Sequence, residues 1–120
     1  MNKHAYKDRR YEIVPYDPNW PNKFALESEK ILSIFGGDVF RIEHIGSTAI
    51  PGMNGKPVID ILVLVNDVSA AHKHRDKMEE AGYEDAGEFV MHGAVLSRKM
   101  NGETLLSNVH IFQKAHRVVG

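Results

Sequence analysis

One aspartate interrupts the otherwise apolar octet Val58–Val65, and this octet constrains the fold of the chain more than any other segment. Aliphatic and β-branched residues in a run of this length predict a central strand that is covered on both faces. A lone carboxylate in such company is costly, so Asp60 needs a cation, a metal ion or several N–H donors nearby. Perturbed carboxylates gather at functional sites, which favours a functional Asp60. The alternative is a structural aspartate that hydrogen-bonds the glycine-rich loop before it.

The turn in front of that loop has the features of an anion site. Gly46, Ser47 and Thr48 directly follow the strand-like run Val39–Ile45. Glycine lets the backbone approach a ligand closely, and the two hydroxyls and the backbone N–H groups are then able to face phosphate oxygens. An ordinary turn at the end of a strand remains the alternative, because Gly-Ser is common in loops.

Gly55 and Lys56 raise the question of a P-loop, and the sequence excludes one. Ile50 stands where that motif needs its first glycine, and Pro57 stands where it needs a serine or threonine. Lys56 is still a candidate point charge for phosphate. A solvated loop lysine is the alternative.

Glu43 lies on the strand before the Gly-Ser turn and is predicted to come near Asp60. Together the two carboxylates would supply oxygen ligands for Mg²⁺ or Mn²⁺. Alternatively, Glu43 pairs with a nearby cation such as Arg41 or Lys56.

Two side chains further along the chain complete the set of candidates. Arg98 is expected to bind phosphate bidentately, with exposed surface charge as the alternative. His110, in the middle of an apolar run, is a candidate metal ligand or phosphate contact, or else a half-buried structural histidine. A weaker alternative is a transition-metal site made by Glu43, Asp60 and His110. His44 is expected to be a core histidine satisfied by hydrogen bonds.

Periodicity and turn residues predict a single α+β domain over residues 11–120, after a polar, loosely held end at residues 1–10. Asn101 and Gly102 are a strong hairpin signal between the last two strands. The predicted elements, in the order β-α-β-β-α-β-β, are a short strand Tyr11–Val14, a helix from Pro21 to the stop at Gly36, strands Val39–Ile45 and Val58–Val65, a helix Asp67–Ala81, and strands Glu88–Met100 and Leu105–Gln113.

Composition excludes several classes of function. With 15 basic and 16 acidic residues, the chain has no general nucleic-acid footprint. The absence of cysteine excludes disulfides and sulfur-ligated zinc. No apolar run is long enough to span a membrane, and the N-terminus lacks a signal core, so a cytoplasmic location is expected. The sequence leaves homo-oligomerisation open.

Two stretches, EHIGSTAIPG from Glu43 and KPVIDI from Lys56, resemble the signature of the GrpB family of the nucleotidyltransferase-fold superfamily. The resemblance extends from about Tyr11 to Gln113. It implies a mixed β-sheet flanked by helices, with the Gly-Ser turn holding the phosphates of a nucleotide. In active members of the superfamily, carboxylates at positions i and i+2 of the next strand hold divalent metal, and the acceptor attacks the α-phosphate.

The chain departs from that pattern in two places. Leu62 occupies the i+2 position, and His110 stands where a third carboxylate is expected. GrpB-like proteins usually continue with a helical C-terminal segment, whereas this sequence stops at Gly120, so a shortened cleft is expected. Two hypotheses follow. One is a metal-dependent protein that binds a nucleotide or phosphorylated small molecule and transfers a nucleotidyl group. The other is a non-catalytic binding module with a degenerate metal site.

Overall fold

The computed structural model describes residues 12–88 and 94–114, which form a mixed β-sheet with helices on one face. The predicted loose end, residues 1–10, lies outside the described residues. So do residues 89–93 of the strand predicted at Glu88–Met100. No helix within the described ranges is both long and apolar enough to cross a membrane.

Helix α1 (Trp20–Phe35) begins and ends where the sequence predicts. Pro21 lies in its first turn, where a missing N–H costs nothing. Gly36, with φ of +56°, ends the helix, and its N–H bonds the carbonyl of Leu32. The buried stripe of α1 is Trp20, Ser28, Ile31 and Phe35.

Within the described residues the sheet has the order β1-β2-β5-β4-β3, and only its β2–β5 pair is parallel. This confirms the predicted α+β class with a mixed sheet. The strands are β1 (Val39–Ile45), β2 (Ile59–Val65), β3 (Tyr83–Glu88), β4 (Ala94–Asn101) and β5 (Thr104–Gln113), and the remaining helices are α2 (Ser69–Lys73) and α3 (Arg75–Glu80).

The main core cluster occupies one face of the sheet, and Leu96 of β4 is buried on the other. Alternate residues of β2, beginning with Ile59 and ending with Val65, are buried, whereas Asp60, Leu62 and Leu64 are only half-buried. The prediction that this strand is covered on both faces is therefore wrong. Its apolar residues on the second face lie in a half-open surface that also carries Asp60.

The structure differs from the predicted elements in three places. The helix predicted at Asp67–Ala81 is broken into α2 and α3 at His74, whose Nε2 lies 2.8 Å from the Asp38 carboxylate. The strand predicted at Tyr11–Val14 is reduced, within the described residues, to a single bridge between Val14 and Gly55. Strand β3 was not predicted at all, because its sequence YEDAGE shows no apolar alternation.

The predicted hairpin is present but shifted by one residue. Asn101 pairs with Thr104, so Gly102 and Glu103 are the two connecting residues. Gly102 has φ of +64°, and no described residue other than glycine has positive φ. Positive φ at the first connecting residue alone matches a type II′ turn.

A partly buried polar link ties α1 to strands β3 and β4. The Tyr83 hydroxyl donates to the Glu27 carboxylate, and Lys99 Nζ lies 3.0 and 3.1 Å from the two carboxylate oxygens. Burial raises the pKa of the Glu27 carboxyl, but the hydrogen bonds from Tyr83 and Lys99 outweigh it, so that pKa is lowered overall. Burial and the bond to Glu27 raise the pKa of Tyr83. The link satisfies a Tyr83 side chain that is almost wholly buried.

Because the core cluster lies on one face of the sheet, alanine substitutions at two neighbouring residues of β2 should lower the free energy of unfolding by different amounts. Ile61 is fully buried, so Ile61→Ala should lower the free energy of unfolding by about 3–4 kcal/mol. Leu62 is half-buried on the other face, so Leu62→Ala should cost about 1 kcal/mol. Urea denaturation of both variants measures the difference. Equal losses would contradict a core cluster that lies on one face of the sheet.

Candidate functional site

The half-open face of the sheet and two loops enclose a cavity of about 710 Å³. Five predicted site residues line it: Ser47, Lys56, Asp60, Arg98 and His110. The cavity therefore unites candidates from the Gly-Ser turn, the glycine-rich loop and three strands.

Strand register explains why these side chains meet. Asp60 of β2 pairs with Asn108 of β5, and Asn108 pairs with Arg98 of β4. The three residues therefore form one row across neighbouring strands and point to the same face. His110 lies two residues further along β5, opposite Leu62.

The Asp60 carboxylate is held on three sides. Asn108 Nδ2 donates to Oδ1 at 3.2 Å, and His110 Nε2 lies 3.5 Å from the same oxygen. Oδ2 faces Gly46, where an added Cβ would lie 3.0 Å from it. Sequence reasoning missed Asn108. The available signal was its position two residues before His110, which places both side chains on one face of a strand.

The Gly-Ser turn has the backbone geometry of a close approach. Gly46 has φ of +81°, and residues Ser47–Ala49 form a single 3₁₀ turn. The turn uses the N–H groups of Ala49 and Ile50, so those of Ser47 and Thr48 are not consumed within it. Ser47 lines the cavity.

The Thr48 hydroxyl does not reach the cavity. Thr48 is 1% exposed, and its Oγ1 lies 2.9 Å from Nε2 of His44. The His44 ring is stacked on Phe24 of α1, with ring centroids 4.8 Å apart. The Thr48 hydroxyl, predicted to face phosphate, thus points inward. His44 has the predicted hydrogen bond, but it is half-buried and does not belong to the core cluster.

A short bridge holds the lysine-bearing loop over the cavity. Val14 and Gly55 exchange two backbone hydrogen bonds, of 2.9 and 3.0 Å. Gly55 packs so closely on Ser47 that an added Cβ would collide with the Ser47 hydroxyl. Residues 13 and 14 therefore fix the loop that carries Lys56 against the Gly-Ser turn.

Glu43 lies apart from the other candidates. Its Oε2 accepts a hydrogen bond from Arg41 Nη1 at 2.9 Å, and its side chain is 44% exposed. It pairs in register with Leu62, which places it diagonal to Asp60 on the same face. Within residues 12–88 and 94–114, no three His, Asp or Glu side chains are arranged to hold a metal ion. Asp60 and His110 come together, and Glu43 follows the alternative in which it pairs with Arg41.

The sheet order, the Gly-Ser turn after β1 and the aspartate beside it on β2 define a nucleotidyltransferase-like α+β fold. A family model described as GrpB protein matches residues 10–119, and the chain belongs to this family. The crystal structure of conserved protein GrpB from Enterococcus faecalis has a TM-score of 0.81 and 33% identity, covering 85% of this chain and 61% of that chain.

Two relatives place the chain among longer proteins. UPF0157 protein YqkA from Bacillus subtilis is 33% identical over 116 residues, which are 97% of this chain and 34% of YqkA. A dephospho-CoA kinase from Mycolicibacterium paratuberculosis is 35% identical over 74 residues, which are 59% of this chain and 18% of that protein. The chain thus spans about a third of YqkA and less than a fifth of the kinase.

The contact between Gly46 and Asp60 can be tested with a matched pair of glycines. Gly46 and Gly52 have nearly the same φ, +81° and +80°, but an added Cβ meets Asp60 at Gly46 and open space at Gly52. Both alanine variants should lose about 1–3 kcal/mol of unfolding free energy from backbone strain, with the larger loss at Gly46, whose ψ of −174° lies in a region that only glycine normally adopts. Gly46→Ala should lose about 1 kcal/mol more and shift the side-chain amide signals of Asn108 in NMR spectra. Equal losses with unchanged Asn108 signals would rule out the contact.

The inward His44 predicts a pH effect on stability. Burial lowers the pKa of His44, and the opposing charge of Asp60 does not offset this. The unfolded chain therefore binds the proton more readily, so stability is full above about pH 6.5 and falls as the pH drops towards the folded pKa. His44→Gln keeps a partner for Thr48 without titrating. Its melting temperature should vary less than that of the wild type between about pH 7.5 and 5.5; parallel profiles would contradict the assignment.

Proposed function

We propose that the cavity binds the phosphate group of a small molecule, a nucleotide or another phosphorylated compound, together with one Mg²⁺ or Mn²⁺ ion. The observation that carries the proposal is that, among the described residues, Ser47, Lys56 and Arg98 line one cavity together with a single carboxylate, Asp60. A volume of about 710 Å³ is typical of sites for small ligands.

Charge balance supports a phosphate ligand. Lys56 acts as a point charge and Arg98 as a planar donor, and both suit phosphate oxygens. The N–H groups at the start of the Ser47 turn add uncharged donors. Asp60 repels a phosphate that is bound in the same cavity. A cation between the two groups removes this repulsion, so phosphate binding is coupled to a metal ion.

The donor set fits one divalent ion and does not fit two. Mg²⁺ is commonly bound by one or two carboxylates together with phosphate oxygens and water. Asp60 would hold such an ion, with His110 beside it, and the ion would neutralise phosphate charge. A second ion would need a second carboxylate, but Leu62 occupies that position and Glu43 does not line the cavity.

The family relationships agree with a phosphorylated ligand. Part of the chain resembles a stretch of a protein named dephospho-CoA kinase, which by its name acts on a phosphorylated small molecule. The similar stretch is only 18% of that protein, so the kinase reaction is not carried over. We place this binding function in the cytoplasm, in keeping with a sequence that has no cysteine.

Nucleotidyl transfer is the second candidate function, and the Gly-Ser turn beside Asp60 favours it. In this reaction Ser47, Lys56 and Arg98 would hold the phosphates of a nucleoside triphosphate, and the acceptor would displace diphosphate from the α-phosphate. Diphosphate release on incubation with nucleoside triphosphates, Mg²⁺ and acceptors would separate transfer from binding.

Calorimetric titration with ATP, with and without Mg²⁺, tests the proposal. Wild-type protein should bind ATP at least about tenfold more tightly with Mg²⁺, because the ion offsets repulsion from Asp60. Asp60→Asn should remove this dependence and strengthen metal-free binding. The matched control is Asp76→Asn, which makes the same change on the exposed surface of α3.

Two results would contradict the proposal. The first is wild-type binding that ignores both Mg²⁺ and the Asp60 substitution, which would exclude the metal-linked site. The second is a failure of wild-type protein to bind either ATP or inorganic diphosphate under any of these conditions.

A further inference from the structure

The cavity has a second end that the phosphate site does not use. Met100 and Leu105 are register partners at the hairpin, two residues beyond Arg98 along β4. Val58, which directly precedes β2, and Ile13, from the segment bridged to Gly55, line the same cavity. The cavity is therefore polar along the Asp60 row and apolar towards Met100 and Leu105 at the hairpin. Leu96, buried beside its register partner His110, lies on the other side of the row.

Ile13, Met100 and Leu105 are not part of the core, whereas Val58 is buried. Ile13 is 64% exposed, and Met100 and Leu105 are half-buried. None of the three belongs to the buried core cluster or packs against it as a partly buried neighbour. Aliphatic surface that faces a cavity gains free energy when a ligand covers it. The apolar end is thus suited to an apolar part of the ligand.

The chemistry of this end selects an aliphatic group over a nucleobase. Proteins hold bases by stacking on aromatic rings and by hydrogen bonds to base edges. Among the described residues that line the cavity, the one aromatic ring is that of His110, which lies beside Asp60 and not at the apolar end. Arg98, which could also stack on a base, lies in the polar row, where its register partners are Asn108 and Glu84.

We propose that the ligand of this cavity is an alkyl-type phosphate, with its phosphate at the Asp60 row and its aliphatic chain on Met100 and Leu105. This inference rests on the proposed function, because it assumes that the phosphate occupies the polar end. The polar and apolar ends of the cavity lie two residues apart along β4, a distance of about 7 Å. A chain of butyl length reaches across it.

NMR titration of wild-type protein in Mg²⁺ buffer tests the inference with inorganic phosphate, methyl phosphate, butyl phosphate and AMP as probes. The Ser47 amide reports on the phosphate, and the methyl groups of Met100 and Leu105 report on the chain. Complete burial of a methylene strengthens binding about fourfold. Butyl phosphate should therefore bind at least about tenfold more tightly than methyl phosphate and shift the Met100 and Leu105 methyl signals.

Adjacent leucines provide the matched variants. Leu105 lines this cavity, whereas Leu106 lies on the opposite face and lines a different one, with Pro57 and Ile59. Leu105→Ser should weaken butyl phosphate about fivefold and leave inorganic phosphate unchanged. Leu106→Ser should change neither. The chain-length series on wild-type protein stands on its own if Leu105→Ser fails to fold.

The outcomes separate this inference from the proposed function. Equal affinity for all phosphates, with the Ser47 amide still responding, would overturn the aliphatic ligand and leave the phosphate site intact. Tighter binding of AMP than butyl phosphate, weakened by Leu105→Ser, would assign the apolar end to a nucleobase and also overturn the inference. No response of Ser47 to any probe would remove the phosphate site and the inference together.

Discussion

The parallel pairing of β2 with β5 is the contact on which the rest of the structure depends. It sets Asp60 beside Asn108 and brings His110 within reach of the same carboxylate. Parallel strands need a long crossover connection, and residues 66–103 supply it with two helices and two further strands. A slip of one residue in this pair would turn the side chains of the slipped strand to the other face of the sheet. Core and cavity are therefore specified by the same register.

Local sequence patterns predicted the elements whose causes are local. Helix α1 and strand β1 have the predicted bounds because proline, paired glycines and apolar periodicity act within a few residues. The break at His74 was not predictable in this way, since its partner Asp38 lies 36 residues earlier in the chain. Strand β3 is likewise held by long-range pairing and by Tyr83, and its own sequence gives no strand signal.

The candidate site shows the same division. Asp60 and Lys56 could be found from sequence because a lone charge in an apolar run and a lysine in a glycine-rich loop are visible locally. The inward orientation of the Thr48 side chain could not be found from sequence, because it depends on the packing of His44 against α1. Asn108 was missed because an amide on a strand has no distinctive signal until the register places it beside Asp60.

A single carboxylate makes a different electrostatic site from a pair. The described side chains that line the cavity set Lys56 and Arg98 against one aspartate, so an anion is favoured there and one divalent ion is enough to screen Asp60. In-line displacement by two metal ions requires charge stabilisation at both the attacking and the leaving oxygen. Leu62 cannot supply the second ligand, and Glu43 does not line the cavity. The arrangement of charges therefore supports holding a phosphorylated ligand more strongly than it supports reacting with one.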